Sequence, residues 1–210
     1  MATKNHARPA PSSLPDSVRL ALRRYFPSQT SARSAEYYAL PEHLALLRLR
    51  AEAEARMLRW NDVAAELTKT LGDLAVRVTD HTAFANAYTL EVLLHEGVEF
   101  PARDEDIFEH LRPPVRTARI AASFLTPFWT ITFRRWRKDS KGRLVIRPEA
   151  QQGRHSTRVA NVAKKTLDKY SWKKIPSNLA QTKIQDIDLH LIERGEVRVA
   201  DVVFGEHRLV

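Results

Sequence analysis

The chain has 210 residues, 43% apolar and 28% charged, which suffices for one sizeable core or two small subdomains and excludes a fibrous or largely disordered protein. No run approaches the roughly 18 uncharged apolar residues of a membrane span, and the lack of cysteine excludes disulfides and thiol chemistry. The net charge of +9 is unevenly placed: sixteen basic and three acidic groups fall between 116 and 174, against eight basic and fifteen acidic between 35 and 115. Such a block is either a solvated face or a surface that concentrates polyanions.

In chain order, residues 1–16 read as a disordered basic arm rich in proline and serine, without the apolar segment of a secretory signal. With no cysteine and no span, the expected location is cytoplasmic. Residues 17–125 read as a helical region. Ser17 to Tyr25 is a short basic helix behind Asp16, and Pro41 suits the first turn of a long helix running to Val78. Trp60, Val63, Leu67, Leu71 and Leu74 recur at spacings of three and four to make one apolar stripe, and Gly72 marks a possible break. A second helix is predicted from Thr82 to Glu96, with Phe84, Tyr88 and Val92 on one face and Gly97 as its stop. The two form an antiparallel helical hairpin. A short helix follows Asp104, and "RTARIAASFL" reads as another.

Residues 126–210 are expected to hold a basic β-hairpin, further helices and a C-terminal strand, in one continuous fold with 17–125. In "TPFWTITFRRWRKDSKGRLVIRP" the period switches to two: Trp129, Ile131 and Phe133 form an apolar face, and "KDSKG" supplies the turn. Leu144 and Ile146 are placed with the apolar face, leaving Arg134, Trp136, Arg143 and Arg147 on an open one. Residues 156–170 form a helix with Arg158, Lys164, Lys165 and Lys169 outward, and Lys173 and Lys174 continue the basic surface. Asn178 to Arg194 reads as an amphipathic helix through Ala180, Ile184, Ile187 and Leu191, and "EVRVADVVF" as a strand or a short helix. The fold class is helix-dominated α+β: a long helical hairpin packed with a basic β-hairpin and C-terminal helices.

Phosphate loops, dinucleotide fingerprints and nucleophile elbows are absent, and "HEGVE" lacks the second histidine of a zincin helix. Asp104, Asp106, Glu109 and His110 crowd one turn, as helix-start carboxylates do without any metal. Asp139 and Glu149 could serve as the carboxylate pair of a metal-dependent nuclease. Asn178, Gln181, Thr182 and Gln185 could read base edges from a recognition helix. The basic constellation is the stronger one: Arg134, Trp136, Arg143, Arg147, Arg158, Lys164, Lys165, Lys169, Lys173 and Lys174 combine phosphate-neutralising cations with an aromatic on which a base can stack.

The helical front half, the arginine- and aromatic-rich hairpin "FWTITFRRWRKDSKGRLVIRP" and the basic helices together resemble accessory DNA-binding proteins of conjugative and other mobile elements. The resemblance covers the second half of the chain and transfers no functional residue. The expected function is non-enzymatic nucleic-acid binding, DNA before RNA, with no cofactor, no metal and no membrane partner. The alternative is an immunity- or adaptor-type module that docks an acidic protein or self-associates through the long helix, and a nuclease ranks third.

Overall fold

Pro41 opens a helix, as the sequence predicts, but Gly72, the possible break, ends the helical stretch short of the expected Val78, and the chain between them is not one helix. The computed structural model describes residues 14–79 and 85–205; most of the predicted arm, with Phe84 and the predicted start of the second helix, lies outside them. The elements in order are α1 (Asp16–Tyr25), α2 (Ala35–Ala39), α3 (Pro41–Ala55), α4 (Met57–Leu71), β1 (Val76–Thr79), β2 (Ala87–Leu93), a 3-10 turn at Asp104–Asp106 and α5 (Ile107–His110). Then come β3 (Val115–Ser123), β4 (Phe128–Lys138), β5 (Leu144–Glu149), α6 (Gly153–Lys169), β6 (Lys173–Lys174), α7 (Ser177–Ala180) and α8 (Val199–Phe204). Arg56 leaves the helical region between α3 and α4, and Gly72 stops α4 at φ +62°, a left-handed value that glycine adopts without strain. Val78 therefore lies on a strand.

A six-stranded sheet is the centre of the molecule. β1 to β5 form an antiparallel meander in sequence order, and β6 adds in parallel to the start of β4. This corrects the helix-dominated reading in which a two-stranded hairpin was the only substantial sheet. The two middle strands are the segments read as helices, 82–96 and "RTARIAASFL". Every residue of β2 is buried, and β3 is nearly so, because protein covers both faces of the sheet along much of their length. Side chains still alternate between the faces: Tyr88, Leu90 and Val92 of β2 pack on the helices, and Thr89 and Glu91 point the other way.

One face of the sheet carries α4 and α6. Trp60, Val63, Leu67 and Leu71 from α4 and Val159, Ala163 and Leu167 from α6 pack on Tyr88, Leu90, Val92, Ala118, Ile120, Trp129 and Phe133. Trp129, Ile131 and Phe133 thus face the helices, as alternation predicts. Removing each large side chain from water contributes about 1.5–3 kcal/mol. The other face is covered at both ends, by residues of the 177–205 segment at one and by the 98–111 segment at the other. The 98–111 segment brings Phe100, Ile107, Phe108 and Leu111 over Leu93, Val115, Trp136, Leu144 and Ile146.

The last third of the chain departs most from expectation. The predicted helix 178–194 is the four-residue α7 followed by irregular chain, and the tail contains α8 in place of a strand. Ile184 and Ile187 keep their inward positions, but their backbone bonds elsewhere: the Ile184 amide donates to the Val197 carbonyl and the Val199 amide to the Thr182 carbonyl. Ile184, Ile187, Leu189 and Ile192 join Val199, Val202 and Val203 in a core shared with Val18, Phe26 and Leu46. Asn86 ties this unit to the sheet: its amide donates to the Val202 carbonyl at 2.8 Å and its Oδ1 accepts from Arg50 at 2.9 Å.

Candidate polyanion interface

The residues expected to form one basic, aromatic surface are distributed over several. Trp136 is 1% exposed in the apolar cluster beneath the 98–111 segment and cannot offer a stacking platform. The hairpin register explains the error. Lys138 pairs with Leu144 and Trp136 with Ile146, so Leu144 and Ile146 share the face of Trp136 and Arg134, while Arg147 lies on the helix-bearing face. Arg134 does point away from the helices, but it donates to buried Glu91 at 3.3 Å. Arg143 sits in the turn beside Asp139, its Nε 2.8 Å from the carboxylate. That carboxylate also accepts the Lys141 and Arg143 amides, and these bonds hold it below the usual carboxylate range.

Most of the helical cations have structural partners. Arg158 bonds Asp73 at 2.9 Å and the Leu71 carbonyl at 2.8 Å, pinning α6 to the C-terminal end of α4 where a cation also opposes the helix dipole. Lys164 pairs with Asp168 one turn on, and Lys169 reaches Glu66 of α4. Lys165 and Lys173 stand exposed, and Lys174 lies 5.8 Å from the centre of the Trp129 ring. Charge is thus spread round the molecule, much of it locally matched.

A different concentration arises from strand pairing. Arg116 of β3 stands opposite Arg135 of β4, and Arg135 stands opposite Arg147 of β5. Three arginines therefore form one cross-strand row, about 10 Å long at the ordinary strand spacing, on the helix-bearing face beyond the start of α6. Arg137 extends the same face of β4 by one position and is exposed. Among the described residues one carboxylate pairs with the row: Glu149, 3.2 Å from Arg116. Like charges directly opposite in a sheet are destabilising, so the row is maintained against its own repulsion. Arg116 does not stand out in the sequence, because its place beside Arg135 depends on β3 being a strand, and Arg135 meets Arg147 only in the observed hairpin register. Once β3 is aligned with β4, the row can be read from the register.

His95 braces the start of this row, its Nε2 accepting the Arg116 amide at 3.1 Å. Burial, with Arg116 and His155 adding positive charge nearby, holds the His95 pKa below its ordinary value, and burial lowers that of His43 as well. A histidine held neutral in the fold takes up its proton first in the unfolded chain. Stability should therefore be fully present above about pH 6.5, the ordinary histidine pKa, and decline as pH falls through the lower folded values. Denaturant melts at a series of pH values are the check. His95→Gln, which keeps an acceptor, should flatten part of the decline and leave the His43 contribution.

The carboxylates considered for metal chemistry are not assembled. Asp139 is in the hairpin turn and Glu149 opposes Phe133, so they stand roughly 20 Å apart along the strand. Asp104 pairs with Arg77 and Asp106 with Arg103. Among the described residues no group of three or more His, Asp or Glu is placed to hold a metal ion. The proposed base-reading residues Gln181, Thr182 and Gln185 lie beyond the end of α7, so they do not line a recognition helix. Among the described residues no helix is long and apolar enough to cross a membrane. No family model, curated protein or solved structure matches the chain.

Proposed function

We propose that the protein binds nucleic acid, duplex DNA before RNA, through the phosphate backbone, with Arg116, Arg135 and Arg147 as the core of the contact and Arg137 beside them. The observation that carries this reading is the cross-strand row of three arginines answered, among the described residues, by a single carboxylate. Guanidinium forks match phosphate oxygens in a bidentate way and stay charged at any physiological pH. Binding releases condensed counterions and so relieves the repulsion within the row. With Trp136 and Phe133 both buried, the row has no aromatic from its own strands on which to stack a base. The contact therefore positions the chain on the backbone and does not specify sequence.

Three to four phosphate contacts give an expected log–log salt slope of about −2.7 to −3.6 on duplex DNA, with equal affinity for unrelated sequences of one length. Fluorescence anisotropy of a labelled duplex between 50 and 200 mM salt measures it. A flat salt response, or no binding at 50 mM, contradicts the proposal. A second reading, docking of another protein, is favoured by Leu44 and Leu47 on α3 and Leu58 on α4, which stand 41%, 44% and 77% exposed.

A further inference from the structure

The uncovered part of the other sheet face is not flat. Between the 98–111 cover and the C-terminal unit lies a cavity of about 550 Å³, within the range of small-molecule sites. Its floor is sheet: Thr89 of β2, Arg119 and Ala121 of β3, Thr130 and Thr132 of β4. Its wall is the C-terminal unit, with Lys174, Ser177, Gln181 and Arg198 supplying polar groups and Ala180 and Phe204 apolar surface.

Arg119 is the unusual residue. It stands beside Glu91 in the strand register, yet Glu91 is already committed. One Glu91 oxygen accepts from Thr117 and Arg134, and the other from Arg77. Among the described residues the Arg119 guanidinium has no hydrogen bond or ion pair within reach, although the residue is half-buried at the floor of the cavity. Burial, with the positive Arg134 close by, pushes its pKa down, but a guanidinium remains charged. The two carboxylates in the wall are turned to other work: Glu196 holds Lys183 at 2.7 Å, and Asp201 accepts the Arg198 amide at 2.8 Å. The Thr89 hydroxyl is engaged with Thr79 of β1, which leaves those of Thr130 and Thr132 beside the fork. A planar, charged fork with unused donors and two neighbouring hydroxyls, facing a cavity, is complementary to an oxyanion.

We infer that this cavity binds a small organic anion, its carboxylate or phosphate held by Arg119, Thr130 and Thr132 and its apolar body lying toward Ala180 and Phe204. The site is on the opposite side of the sheet from the arginine row and stands or falls independently of it.

The test uses the full chain and three probes of similar size: phenyl phosphate, phenylacetate and neutral benzyl alcohol. Amide chemical-shift mapping should show at least one of the two anions saturating shifts at Thr89, Ala121, Thr130, Thr132 and Ala180, and the preferred anion identifies the headgroup. Benzyl alcohol should not saturate them. Arg119→Met should weaken the saturating anion at least tenfold, and Arg147→Glu should leave it unchanged. Should Arg119→Met not fold, Ala121→Leu, which fills the floor, is expected to cause the same loss. No saturable shift with either anion, an equal response to the alcohol, or wild-type affinity in the folded Arg119 or Ala121 variant overturns the inference.

Discussion

Glu91→Ala is expected to cost about 3–5 kcal/mol of folding stability, among the largest effects of any single substitution in the chain. The Glu91 side chain is 4% exposed on a central strand, and its carboxylate accepts from Arg77, Arg134 and Thr117. Truncating it leaves Arg134, itself 17% exposed, without its counter-charge and beside the positive Arg119, while Arg77 keeps Asp104 at 2.7 Å. Breaking one partner of a buried ion pair is costly because the other charge stays behind unpaired. Urea melts measure the loss. The double variant Glu91→Ala/Arg134→Met should recover part of it, since the stranded charge is then gone, and a Glu91→Ala loss below about 1 kcal/mol would contradict the role given to this hub.

That hub illustrates what the sequence conceals. Tyr88 and Val92 are four residues apart, a spacing that shares a face on a helix and equally on a strand, so the pattern did not distinguish the two. Glu91 lies between them in the chain. In the sheet it faces the opposite layer, where arginines from three different strands converge, and no local pattern encodes that convergence. Local chemistry was legible where it decides structure alone: Pro41 at a helix start, Gly72 at a break in the helical stretch, Gly142 in the hairpin turn at φ +77°, and Val159, Ala163 and Leu167 along the buried stripe of α6. The segment 178–194 was misread for a different reason. Its isoleucines do face inward, but the segment is held by long-range pairing that a helix would break: the Ile184 amide bonds to the Val197 carbonyl, and Ile187 bridges to Ser28.

The candidate site follows the same division. Alternation correctly separates Trp129 and Phe133 from Trp136, yet it says nothing about whether the second face is open. Phe100, Phe108 and Ile107 arrive from a segment with no β pattern and close it over Trp136. Arg147 was assigned to the right strand and the wrong face, because the turn length sets the register and a one-residue difference reverses every side chain. Its true neighbours, Arg135 and Arg116, become visible only when three strands are aligned.

The central claim is that this row is the polyanion site. Its most direct test compares two double charge reversals with the same net change, each in a duplex-DNA salt titration. Arg135→Glu/Arg147→Glu removes two of the three arginines in the row and places two anions beside Arg116. Lys164→Glu/Lys169→Glu makes the same change on α6, where both lysines already have carboxylate partners. Thermal melts confirm that each variant is folded. The row variant should lose affinity by tens-fold at 50 mM salt, with its log–log slope falling by about 2 as two phosphate contacts disappear. The helix variant should lose less than about fivefold and keep its slope, since only the long-range field has changed. Equal losses in the two variants, or wild-type binding by the row variant, would contradict the assignment.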